Sequence, residues 1–423
     1  MEMKRRKLSL VTTLLALACL TTACGTPSGE SSSPAKDTEE IVVSTWAGDP
    51  FESAWKEKAK EFEEQTGISV VIDAVPWENL REKTVLELAS GTGAYDVLYV
   101  HPSWFDEFVN AGYLMPASEY ASEEELDAFV PNLLADYSRD GEVYGLPDFV
   151  GSQVLAYRTD IFEEYQLDVP DSWSDILTAC EALAGNPEFA PITFPGKKGG
   201  TLASLYGAFL VSNGGWYLND QGEPAMDTPE ALEAIVMLQK LAQYQLPGYL
   251  NVHWDENGQI AANGKAAMAI IMSVNAAWLE DAESSATAGK WAYIPLYSDK
   301  GTPGGIVDNY CWSVVEGSEH AQAAGDFVKF ITGTECQTYF TETSSTCGAT
   351  QAYYENKALI DAQPVLGALQ KTLTNTKPAP TWSSWNADKE VLEVQLQGVM
   401  SGSLAPEEAA EAIQAQMLTS FSK

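Results

Sequence analysis

The chain has 423 residues, of which 24 are Lys or Arg and 60 are Asp or Glu, for a formal net charge of -36. Such acidity leaves no basic surface to replace counterions at phosphates and excludes nucleic acid as a partner. Composition is otherwise that of a globular protein, 45% hydrophobic with 12 Trp and 18 Tyr. About 380 residues of it are more than one hydrophobic core usually supports, so two lobes are expected.

The first segment joins Lys4-Arg5-Arg6-Lys7 to an apolar run from Leu8 to Leu20, the shape of an export leader that is removed on maturation. Thr21-Thr22-Ala23 before Cys24 resembles the lipobox of bacterial lipoproteins, although Thr21 stands where an aliphatic residue is the rule. That resemblance implies a signal peptide over residues 1–23 and lipidation of Cys24. Without the leader, 20 basic residues face 59 acidic ones, or -39. Residues 24–40, rich in Ser, Gly and Pro, bury too little to fold and form a flexible tether. No later stretch holds the roughly 20 consecutive apolar residues of a spanning helix, so the body is expected outside the membrane.

Ile41-Val42-Val43 begins the body as a β-branched strand, and Phe51, Trp55, Ala59 and Phe62 then share one helical face. Gly67 ends that helix. Ile68, Val70 and Ile72 alternate as a second strand, residues 80–89 form a second helix, and Val97 to Val100 is an apolar third strand. Strands alternating with helices imply a parallel sheet covered on both faces. Residues 143–157 read as a crossing segment that leads to a new strand. Ser172 and Asp175 have capping-box spacing ahead of an apolar helix, and helical stretches dominate from there to about residue 288. Strand character returns over residues 292–315, with a Gly304-Gly305 turn, and the tail from 388 to 418 is helical, Pro406 opening its last helix.

Only His101, His253 and His320 are present, far apart, and Cys180, Cys311, Cys336 and Cys347 lack metal-type spacing, so no metal and no cofactor is expected. Cys336 and Cys347 are either a bridge or two buried thiols.

Several stretches in this order resemble the extracellular solute-binding proteins that feed carbohydrates to ABC importers, the family 1 group that contains the maltose-binding proteins. They are Thr45-Trp46-Ala47-Gly48-Asp49, the run Phe62 to Ile68, the run Ala89 to Val97, Tyr144-Gly145-Leu146-Pro147, Tyr157-Arg158-Thr159-Asp160-Ile161-Phe162 and Val169-Pro170-Asp171-Ser172-Trp173. The resemblance implies an α/β chain with the two-lobed type II periplasmic-binding-protein fold, its parallel-sheet lobes joined by a hinge. Residues 41–145 plus 297–345 would form the N-terminal lobe and 146–296 plus 346–423 the C-terminal lobe. It further implies a monomer that captures a carbohydrate by hinge closure and delivers it to ABC transporter permease subunits, without catalysis, while the lipid anchor holds it at the outer face of the cytoplasmic membrane.

Sugars offer apolar faces to aromatic rings and hydroxyls to carboxylates, amides and indole N–H groups, and open α/β sheets bind ligands beyond the carboxyl ends of their strands. Candidates are therefore Trp46 and Asp49 after the first strand, Trp77 after the second, and His101, Ser103 and Trp104 after the third. Asp49 serves equally as a helix cap, and Trp77 as cover for a lobe edge. Further along stand Asp148, which reads equally as a solvated loop acid, Trp216 in a Gly-Gly-Trp-Tyr element, and Trp278. Asp308, Asn309 and Tyr310 follow the Gly-Gly turn, and one of Trp382 and Trp385 completes the set. A non-sugar solute in the same fold, or an exported glycoside hydrolase with two carboxylates across a sugar bond, are the alternatives.

Overall fold

The computed structural model describes residues 39–48, 50–344 and 346–422, so the leader, Cys24, nearly all of the tether and Asp49 lie outside the described residues. The first β-branched run becomes β1 (Glu40–Trp46) and is followed by α1 (Phe51–Thr66), β2 (Ser69–Val75), α2 (Trp77–Ser90), β3 (Val97–Val100) and α3 (Pro102–Asn110). Gly67 stops α1 in the left-handed conformation, its N–H bonding Glu63 O at φ 79°. Strands β1, β2 and β3 pair in parallel with β1 in the centre. Side chains alternate across this sheet: Ile41, Val43, Val97 and Tyr99 pack with Trp55 and Phe62 of α1, while Leu98 and Val100 pack with Leu80, Phe105 and Phe108 of α2 and α3.

The chain then makes β4 (Leu146–Gly151) and, after the single residue Ser152, β5 (Gln153–Arg158). These neighbours belong to different sheets. Strand β4 pairs with the re-entering strand, whereas β5 lies in a four-stranded sheet with β6 (Ala190–Thr193), β7 (Ala266–Met272) and β8 (Trp291–Pro295). The re-entering strand, β9 (Gly305–Val314), runs antiparallel to β3 and to β4 and parallel to β10 (Thr376–Pro378). The parallel pairing expected from the βαβ order thus covers β2–β1–β3, and β9, returning from the second sheet, extends that sheet antiparallel to β3.

Ala266–Met272 lies within the region expected to be mostly helical, yet every one of its residues is buried in a strand. A run apolar on both faces carries no period that separates a central strand from a buried helix. Ser172 caps its helix through Asp175 N at 3.1 Å, and two further helices that matter below, α4 (Thr201–Ser212) and α5 (Trp385–Met400), pack beside the second sheet with α6 (Pro406–Phe421). Cys180, Cys311, Cys336 and Cys347 are buried free thiols, with no bridge between the last two. No described helix is long and apolar enough to cross a membrane.

The crossing between sheets is stitched by side chains. Ile306 N donates to Gln153 Oε1 at 2.8 Å, Ser152 Oγ donates to Ile306 O at 3.2 Å, and Ser273 N donates to Ser152 O at 2.8 Å. Gly304 lets β9 start here because a Cβ would sit 2.2 Å from the backbone nitrogen of Ser212 at the end of α4. The Gly-Gly pair therefore admits close approach of protein backbone, not of a ligand. Gly304→Ala should lower the urea midpoint by the equivalent of about 1–3 kcal/mol with an unchanged m-value.

Candidate ligand-binding cleft

A cavity of about 920 Å³ opens between the carboxyl end of β3 and the start of α4. Its first wall is Arg81 of α2 with His101, Ser103, Trp104 and Glu107 at the start of α3. The facing wall is Gly200, Ala203 and Ser204 at the start of α4, Tyr217, the segment Ala379 to Ser383, and Trp385, Asn386 and Lys389 of α5. Ile306 of β9 forms part of the lining between them.

The second wall carries an aromatic cluster held by one carboxylate. Trp382 and Trp385 meet edge to face at 4.9 Å and 68°, and Trp385 meets Tyr217 at 5.1 Å and 62°. Trp382 Nε1 donates to Asp388 Oδ2 at 3.0 Å. The same buried carboxylate accepts from Ser384 Oγ at 2.7 Å, Ser420 Oγ at 2.6 Å and Gln416 Nε2 at 3.3 Å. Burial acts to raise the Asp388 pKa, but these donors outweigh it and hold the carboxyl below its ordinary value. Since its N–H is committed to Asp388, Trp382 has its ring surface to offer a ligand. Both Trp382 and Trp385 line the cleft.

Glu393, one turn further along α5, accepts from Gly199 N at 2.7 Å, Gly200 N at 2.8 Å and Ala203 N at 3.1 Å. It satisfies the orphan amides that begin α4 and answers that helix's dipole. On the first wall Arg81 forms a bidentate pair with Glu107, Nη2 lying 2.8 and 2.6 Å from its two carboxylate oxygens. His101 caps α3, its Nδ1 accepting from Ser103 N at 3.1 Å. Burial pushes the His101 pKa down to about 4, so the ring is neutral near pH 7 with its proton on Nε2.

Asp308 lies on β9 two residues beyond Ile306, and its carboxylate is 4.0 Å from His101 Nε2, too far for a hydrogen bond. Its side chain remains 45% exposed although protein crowds around it in the crevice. Loss of hydration in that crevice raises the carboxyl pKa to about 6. Of the sequence candidates, His101, Ser103, Trp104, Trp382 and Trp385 line the cleft together, and Asp308 stands beside His101.

The other described candidate side chains lie off the lining of this cavity. Trp46 packs against Phe51, Trp55, Tyr99 and Tyr310, with ring centroids 4.9–5.7 Å apart. Tyr310 stacks on Tyr99 at 5.5 Å and 8° and meets His101 edge-on at 4.9 Å. Asn309, on the opposite face of β9, is buried and donates to Leu133 O at 3.1 Å and Asp136 Oδ2 at 3.3 Å. Asp148 is buried and accepts from Tyr99 Oη at 2.9 Å and Trp312 Nε1 at 2.6 Å, so it is a core acceptor and neither a ligand contact nor a solvated acid. Trp216 packs beside Tyr217 at 5.0 Å, and it is Tyr217 that reaches the cavity. Trp278, 39% exposed, rests on Gly258 away from the cleft. Trp77 opens α2, and its side chain lies outside the described residues.

Arg81, Glu107, Ser204, Tyr217, Asn386 and Lys389 were not expected. Charged residues on helices read as a solvated face, and only the spacing of Glu107 three residues after Trp104 hinted that α3 turns a polar edge to the cleft.

A family model described as bacterial extracellular solute-binding protein matches residues 48–338. The chain belongs to that family. It is a family of binding proteins, not of enzymes. This solute-binding protein is 24% identical over 376 residues to a probable ABC transporter-binding protein of Deinococcus radiodurans, a match over 86% of this chain and 89% of that one. It is 27% identical over 208 residues to an arabinooligosaccharide-binding protein of Halalkalibacterium halodurans, over 48% of this chain and 45% of the relative. Its fold matches that of maltose-bound T. maritima MalE3 with a TM-score of 0.76 at 21% identity, over 91% of this chain and 100% of that one. The fold is thus the two-lobed type II arrangement expected from the sequence.

Two measurements check these assignments. Asp148→Ala leaves a buried hydroxyl and a buried indole N–H without their acceptor, and should cost about 2–4 kcal/mol in chemical denaturation. For Asp308, a folded pKa near 6 against an unfolded value of 3.8 means the folded state binds the extra proton between those pH values. Wild-type stability therefore carries a contribution that falls as pH rises from about 4 to 6. The melting temperature of Asp308→Asn relative to wild type should rise across that window and level off above it.

Proposed function

We propose that this solute-binding protein captures a carbohydrate between its lobes and delivers it, unchanged, to the permease subunits of an ABC importer. The observation that carries the reading is the cleft wall of Trp382 and Trp385, backed by the buried Tyr217 and facing Trp104, in a cavity of about 920 Å³. Trp382 and Trp385, inclined at 68° to one another, present flat apolar surfaces at two inclinations, which suits the C–H faces of a sugar. His101, Ser103, Ser204, Thr381 and Asn386 supply hydroxyl, imidazole and amide groups around those rings. The arabinooligosaccharide and maltose named for two of the similar proteins are consistent with this class of ligand.

In this reading the first lobe comprises the sheet of β1 to β4 with β9 and β10, so β4 and β10 fall in it and not in the C-terminal lobe where boundaries at residues 145 and 345 would put them, and the second comprises the sheet of β5 to β8 with α4, α5 and α6. The lobes close about the Ser152 crossing, and the ligand favours the closed form only to the extent that it binds that form better. The leader pattern before Cys24 supports removal of residues 1–23, lipidation of Cys24 and retention at the outer face of the membrane by residues 24–40 as tether. Tethering raises the local concentration at the permease, and the binding protein acts as a monomer.

Titration calorimetry against mono- and oligosaccharides tests the reading. One sugar should bind per chain and be recovered intact, and Trp382→Ala and Trp385→Ala should each weaken it by about 10- to 100-fold, the loss of a stacked ring. Absence of binding by any saccharide or polyol, or appearance of a hydrolysis product, would overturn it.

A further inference from the structure

Among the described residues, three charged side chains line the cavity besides the neutral His101, namely Arg81, Glu107 and Lys389, and the Asp308 carboxylate stands at its edge beside His101. Arg81 and Glu107 neutralise one another through their bidentate pair. Lys389 differs. Its Nζ contacts Asn386 Oδ1 at 3.3 Å, and among the described residues no carboxylate comes within 4.0 Å of it.

The carboxylates that a lysine at this position would ordinarily use are engaged elsewhere. Glu393, four residues on and so on the same helical face, is buried against the amides of Gly199, Gly200 and Ala203. Asp388 is turned inward to Trp382, Ser384, Gln416 and Ser420. Among the described residues that line the cavity, Lys389 is therefore the cation without a carboxylate partner. Its cost rises when the lobes close. Taking an ammonium out of water without a counter-charge is unfavourable, and a ligand that supplies one offsets that penalty.

We propose that the ligand is an acidic saccharide, a uronic acid or an oligosaccharide containing one, whose carboxylate pairs with Lys389. This rests on the carbohydrate reading above and narrows it. A sugar phosphate fits less well, because the backbone amides at the start of α4, a natural cradle for phosphate, are already filled by Glu393. The single cation matches a single negative charge. The rings of Trp382 and Trp385 remain available to the sugar face beside it.

The test is calorimetry with matched pairs, D-galacturonate against D-galactose and D-glucuronate against D-glucose, together with digalacturonate, maltose and glucose 6-phosphate. At least one uronate should bind ten or more times tighter than its neutral parent and tighter than the phosphate. Lys389→Gln should reduce that ratio by tenfold or more and Lys389→Arg should retain most of it, with unchanged melting temperatures showing that both variants fold. Neutral sugars that bind as well as their uronates would overturn the inference and leave the carbohydrate reading standing. A uronate preference that survives Lys389→Gln would overturn the assignment to Lys389. Failure of every saccharide to bind would remove both readings.

Discussion

Strand β9 is the constraint on which the cleft depends. Its first three residues pair with β10, its middle and end pair with β4 and β3, and Ile306 is bound at both its N–H and its carbonyl by Gln153 and Ser152. One strand is thus built into the first sheet while its start is fixed to the point where the chain leaves for the second. Alternation along it then turns Ile306, Asp308 and Tyr310 to one face and Val307 and Asn309 to the other. A one-residue slip would send Asn309 toward the cleft and Asp308 into the core. The register shift between Tyr310 and Cys311 ends this alternation.

The first turns of α5 concentrate the second wall. Trp385, Asp388, Lys389 and Glu393 recur at spacings that bring them to neighbouring faces of one helix. Two of these acids point inward, one aligning Trp382 and one closing the start of α4. Asp148 performs the same service in the other lobe, fixing Tyr99 and Trp312. Against a background of 60 acidic residues, these buried carboxylates act as internal acceptors that set ring orientation. Two or more donors meet each of them and offset part of the cost of burial, which still pushes the Asp148 carboxyl up to about 7.

How much of this was legible follows from what a side chain reveals about its direction. Strand and helix periods were plain wherever one face is buried, as in Phe51, Trp55, Ala59 and Phe62, and Pro406 and Gly67 marked helix ends for local backbone reasons. Ala266–Met272 was opaque because burial on both faces erases the period. Loop position after a strand identified His101, Ser103 and Trp104. Trp46, taken by the same rule, packs with the aromatic layer of Tyr99 and Tyr310 and does not line this cavity. Asp148 and Asn309 failed for a related reason. A polar residue in an extended segment beside the crossing faces either solvent or core, and only the partners, Tyr99 and Trp312 for one and Leu133 for the other, decide which.

The two walls are unequal in what they leave to a ligand. On the second wall, Trp382 Nε1, Tyr217 Oη and the amides at the start of α4 are already satisfied by Asp388, Ala203 O and Glu393. That wall is preorganised and loses little freedom when a guest arrives, but it offers ring surface more than hydrogen bonds. Polar discrimination must then fall to groups around the rings, Ser204, Thr381, Asn386 and Lys389, and to His101 and Ser103 on the facing wall. Thr381 Oγ1 reaches Asp106 Oδ2 of α3 at 3.4 Å, so the rim of one wall touches the other. Ring geometry accordingly limits which shapes enter, and the charge and hydroxyl pattern met at the rim limits which of those shapes hold the lobes together.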